Sequence, residues 1–138
     1  MHYAIRKTMH PKLTHLLTSL LTPLVLLGFA LRLLLSPLFL QVEYRMPNFP
    51  ADEYGFTRED RLRWAPYALN YLTNREEISY LADLRFDDGT PLFNERELSH
   101  MDDVKIVTRG ALNVFYLALA ALALLGLWSK RPQQWQAF

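Results

Sequence analysis

Two stretches of the chain are apolar almost without interruption, Leu13 to Leu40 and Ala111 to Trp128, and the polar residues are sorted around them. Each meets the about 17–25 residues that a helix needs to cross a bilayer. The second stretch is the end of a longer element. Asn94 to Trp128 reads as one helix, charged in its first half to Lys105 and uncharged from Ala111 onward. Asn94 is a good N-cap, and Glu97 three residues on completes a capping box. Only Gly110 interrupts, at a cost of ~1 kcal/mol. Roughly 35 residues at about 1.5 Å each outrun a bilayer core of about 30 Å, so this helix is expected to cross the membrane and project about four turns beyond it.

Between the spans the pattern changes. Tyr44 to Pro50 carries two prolines and reads as extended. Thr57 caps a helix with Asp60 at the capping-box position, and Leu62, Ala65, Leu69 and Leu72 then recur at 3-4-3 spacing. Pro66 falls inside this stripe, which predicts a kink or two short helices. Asn74 to Glu77 is a second capping signal and predicts a short helix through about Ala82. Leu84 to Phe93 reads as a small β-hairpin with Asp88-Gly89 at its turn. The expected fold is thus an all-α membrane protein of two transmembrane helices joined by a mainly helical extracytoplasmic loop. Its parts are a cytoplasmic N-terminus (1–12), transmembrane helix 1 (13–40), an extracytoplasmic cap (41–94), the long helix (95–128, transmembrane from about 111) and a cytoplasmic tail (129–138).

Charge supplies the orientation. Hydrophobic residues make up 51% of the chain, yet all 14 acidic residues lie between Glu43 and Asp103. Arg6, Lys7 and Lys12 precede the first span, and Lys130 and Arg131 follow the second, with no carboxylate beside them. By the positive-inside rule both termini belong in the cytoplasm and the loop outside, in a bacterial inner membrane. The first apolar run is too long for the 7–15-residue core of a signal peptide and no small-x-small site follows it, so it is expected to stay as an anchor. Cysteine is absent, so the loop holds no disulfide.

Several side chains stand out against this background. Thr14, Thr18 and Thr22 form a hydroxyl stripe on the first span, and Ala120, Ala123 and Gly126 form a small-residue ridge on the second, both suited to helix packing. Arg32 falls near the outer headgroups, where snorkelling accounts for it. Trp64, Tyr67, Tyr71 and Trp128 are candidates for a membrane interface. About fifty residues of loop bury little surface alone, which makes the cap marginal without support.

The segment F-N-E-R-E-L-S-H-M-D-D-V-K from Phe93 to Lys105, together with Tyr44 and the Tyr54-to-Thr57 turn, resembles an uncharacterised family of bacterial integral membrane proteins. That resemblance implies topology rather than chemistry. Its members typically continue into a second pair of spans, whereas this chain holds one pair.

Candidate chemistry is sparse. Glu97, His100 and Asp103 share a helical face, and Glu-x-x-His is the spacing of carboxylate-bridged di-metal bundles, but those need two copies and two further Glu residues. The alternative is a structural network in which Asn94, Glu95, Arg96, Glu97, His100 and Asp103 bond to the folded loop, with Arg58, Arg61 or Arg63 as partners. No Gly-x-Ser-x-Gly elbow, phosphate loop or haem motif is present, and His15 is a lone histidine near the inner end of a span. No catalytic residue, metal or cofactor is therefore expected. The lead expectation is an accessory, structural subunit docked on a larger membrane assembly such as a respiratory or photosynthetic electron-transfer complex, with enzymatic activity left open. The alternatives are an envelope enzyme or metal-binding protein using the Glu97/His100/Asp103 face, and a pore-forming homo-oligomer. Lipid and other membrane subunits are the expected partners; nucleic acid is not.

Overall fold

The computed structural model describes residues 11–129. The basic flanks Arg6, Lys7, Lys130 and Arg131, on which the orientation rests, lie outside them, as do most of the two terminal segments. Five helices follow in order: α1 (Pro11–Leu34), α2 (Pro37–Glu43), α3 (Arg58–Thr73), α4 (Ser79–Ala82) and α5 (Glu95–Ser129). The fold is mainly helical, with no strand among the described residues, and α1 and α5 are long and apolar enough to cross a membrane. The chain divides into two compact units, one of Met1–Phe29 with Val114–Phe138 and one of Ala30–Asn113.

The first unit pairs the α1 segment with the α5 segment. Val25, Gly28, Phe115 and Ala118 are its buried residues. Gly28 is there because nothing larger fits: a Cβ built on it would overlap the Phe115 side chain. Phe29 meets the same ring edge-on, with centroids 5.1 Å apart. Most of the remaining large side chains are exposed, as expected where the surroundings are themselves apolar.

The second unit is where the chain departs from expectation. The apolar run Leu13 to Leu40 is not one helix. Pro37 disfavours helical geometry at Ser36, so α1 ends at Leu34 and Ser36 caps a new helix, accepting from Phe39 N at 3.2 Å. Pro66 does not divide α3, which runs unbroken from Arg58 to Thr73 behind the Thr57–Asp60 capping box. Asn74 closes α3 as its C-cap instead of opening the next helix, and α4 begins only at Ser79. The expected hairpin is reduced to a turn closed by one isolated bridge between Arg85 and Pro91, with Gly89 at positive φ. At the head of α5 the capping box is complete: Asn94 N donates to Glu97 Oε2 at 2.8 Å and Glu97 N to Asn94 Oδ1 at 3.0 Å.

The core of this unit is Tyr71, Leu72 and Leu81, with Leu98, Met101 and Val104 of α5 packed against it. Tyr71 is 1% exposed and Leu81 is fully enclosed.

Candidate functional site

One face of α5 carries Leu98, Met101, Lys105, Thr108 and Leu112, a helical stripe with a charge in its middle. Lys105 is only 6% exposed. Burying an ammonium is costly unless its donors are matched, and here they are. Nζ donates to Asn74 Oδ1 at 3.2 Å and to the Glu76 carbonyl at 2.5 Å, and lies 3.8 Å from the centroid of the Tyr71 ring. The α3 terminus builds the receptor for it. Asn74 Oδ1 also accepts from Glu76 N at 3.0 Å, a local turn that ties the two acceptors together. One turn earlier on α5, Asp102 Oδ1 accepts from the Tyr71 hydroxyl at 3.0 Å.

The electrostatics follow from this enclosure. Burial, then the hydrogen bond to Asp102, pushes the Tyr71 phenol up to about 12. Burial lowers the Lys105 ammonium below its ordinary value, with Arg109 adding to the effect and Asp102 and Glu76 opposing it. The cluster is a clamp between α3 and α5, with Lys105 and Tyr71 buried and Asp102 and Glu76 exposed at its edge.

The sequence pattern did not single out this clamp. Tyr71, which the sequence places among the interfacial aromatics, is the most enclosed aromatic of the unit, with its hydroxyl on exposed Asp102 and its ring against buried Lys105. A lysine within the Leu98-to-Leu112 stripe was the available signal.

The predicted motif residues are placed differently. Asn94 and Glu97 are engaged with each other in the capping box. Glu95, Arg96, His100 and Asp103 are exposed and make no hydrogen bond or ion pair among the described residues. The expected arginine partners are occupied elsewhere or free. Arg63 pairs with Asp87 at 2.7 Å and stacks on Trp64, while Arg61 packs over Tyr44 and Phe49 and donates to the Pro50 carbonyl. Glu97, His100 and Asp103 gather no metal-binding set, nor do any other three such residues among those described. His100 is thus an accessible imidazole on the face of α5 opposite the clamp.

In the first unit the hydroxyl stripe turns inward on its own helix. Thr18 donates to the Thr14 carbonyl at 2.9 Å and Thr22 to the Thr18 carbonyl at 2.7 Å, the back-bonding open to any helical threonine. Ala120 and Ala123 are exposed, Gly126 is half-buried, and the face that packs within the chain holds Phe115 and Ala118 instead. Trp128 lines an open apolar groove of about 700 Å³ with Leu17, Leu21 and Leu124. In the second unit Arg32 is exposed, Tyr67 is partly so, and Trp64 is half-buried between Tyr67 and Phe86.

Comparison with known proteins adds what the geometry alone does not. The model of a family described as lipoprotein intramolecular transacylase Lit matches residues 16–138. An uncharacterized protein of Aquifex aeolicus (strain VF5) is 33% identical over 94 residues, which is 68% of this chain and 44% of that protein. The chain therefore matches less than half the length of that relative. No solved structure matches. The family match overturns the expectation of an accessory subunit of an electron-transfer complex, because a transacylase is an enzyme. It likewise replaces a resemblance without chemistry by one whose description names an activity.

Proposed function

The chain belongs to the lipoprotein intramolecular transacylase Lit family, and on that footing we propose that it serves acyl transfer within a lipid-modified protein. The observation that carries this reading is the family match across residues 16–138. Moving an acyl group within one molecule asks for two proton transfers. The attacking heteroatom loses a proton as its bond to the acyl carbon forms, and the departing oxygen gains one as its own bond breaks. Histidine is the side chain suited to both near neutral pH. His100 is the histidine of the described residues that lies outside α1 and is open to solvent, so we assign it this role. The clamp of Tyr71, Asp102 and Lys105 holds its helix against α3.

The same reading places the acyl chains in lipid beside α1 and α5, with the bilayer as the protein's first partner and the cap on the extracytoplasmic side. That orientation is supported by the basic, carboxylate-free flanks and the acidic loop.

The test uses the full chain in membranes with a lipid-modified lipoprotein. Intramolecular transfer leaves the substrate's mass unchanged and alters only the position of an acyl group, visible in fragment spectra. His100→Gln is expected to slow the change by about 10²-fold or more. No movement of acyl groups with the wild-type chain would overturn the proposal.

A further inference from the structure

α2 carries apolar side chains on two sides. Leu40 is buried, and Phe39 and Tyr44 are half-buried, on the side that packs toward α3. On the other side Leu38, Val42 and, just beyond the helix, Met46 are each about half exposed or more, Leu38 reaching 65%. The chain keeps turning past the end of α2, since Arg45 N donates to the Val42 carbonyl and Met46 N to the Glu43 carbonyl. Gln41 and Glu43 are the only polar side chains of α2, and an apolar face of this kind is covered by protein or by lipid.

We propose that this strip lies in the headgroup–acyl boundary of the bilayer and anchors the Ala30–Asn113 unit to the membrane surface. Three observations select lipid over a protein partner. The strip continues directly from α1, a helix long and apolar enough to cross a membrane. Exposed arginines stand at its two ends, Arg32 and Arg45, where their long stems reach anionic headgroups. No carboxylate lies on it, for Glu43 is half-buried beside Tyr44. An apolar strip with cationic ends suits the headgroup–acyl boundary. The proposal stands independently of the acyl-transfer reading.

The absence of native cysteine makes the test direct. Leu38→Cys, Val42→Cys and Met46→Cys are made singly in the full chain, spin-labelled, and reconstituted in vesicles of phosphatidylcholine with phosphatidylglycerol. Leu20→Cys on α1 and Glu77→Cys in the cap serve as references. Accessibility to oxygen, which concentrates in lipid, is compared with accessibility to a water-soluble nickel chelate. The oxygen-to-nickel ratio at the three strip positions is expected to exceed that at Glu77 by about threefold or more and to approach that at Leu20. A ratio equal to that of Glu77 would overturn the proposal by placing the strip in water. Protection from both reagents would also overturn it, by showing a protein on the strip, whether a second copy or another chain.

Discussion

The two units hold themselves together by opposite means. In the unit of α1 with the end of α5, contact is made by shape: one glycine lets a phenylalanine ring approach, and the hydroxyls are spent on their own helix. In the Ala30–Asn113 unit, contact is made by polar groups that reach between elements, Tyr71 to Asp102 and Lys105 to Asn74 and Glu76. The difference matches the surroundings that the proposed membrane placement gives each unit. Where lipid replaces water, apolar burial gives little preference for one neighbour over another, and close packing decides. Where water competes, a buried charge fits only the site that satisfies it.

The sharpest way to break this contrast is Gly28→Leu. If shape governs the first unit, the side chain cannot be placed beside Phe115, and the variant should lose about 3 kcal/mol or more in detergent unfolding. Phe115→Ala on top of it should recover part of the loss. A neutral Gly28→Leu would mean the helices are not held by that contact.

Lys105→Met probes the other unit. Its stem volume is kept while Asn74 Oδ1 and the Glu76 carbonyl lose their donor, which should cost about 2 kcal/mol. A loss confined to the cap, read by hydrogen exchange in α3 with α1 unchanged, would sharpen the distinction between the units.

Tyr71→Phe removes one hydrogen bond and should cost about 1 kcal/mol. The same residue has a pH signature. Its folded pKa is raised from an ordinary 10.0 to about 12. The fold favours the neutral phenol, so this contribution is fully present below pH 10 and is lost as pH rises through the folded value. Lys105 runs the other way: its lowered pKa means that losing the proton relieves the burial. Tyrosinate absorbance should show one late-titrating tyrosine, absent in Tyr71→Phe. The smallest effect belongs to Arg63→Ala, since the Arg63–Asp87 pair is exposed and such pairs contribute at most about 1 kcal/mol.

What the sequence made legible was local. Asn94 with Glu97 and Thr57 with Asp60 are three-residue patterns whose partners lie in the same turn, and both form the bonds that their spacing suggests. Long-range pairings were not legible. Tyr71 and Asp102 are 31 positions apart, and nothing near either residue announces the other. Asn74 shows why capping signals mislead: the residue type that opens a helix can also close one, and the carbonyl-rich end of α3 plus Lys105 decided the matter. The chemistry was hidden for another reason. Glu-x-x-His is a metal spacing, while the proton transfer proposed for His100 would need only one exposed histidine and leaves no spacing to read.

The threonines of α1 have a consequence for biosynthesis. With Thr18 and Thr22 bonded to carbonyls one turn back, these hydroxyls need nothing from α5. Translation at roughly 5–20 residues per second leaves several seconds between the emergence of Leu34 and that of Ala111. During that interval α1 can already be released into lipid, and α5, arriving later, has only a groove to find: the notch that Gly28 leaves for Phe115.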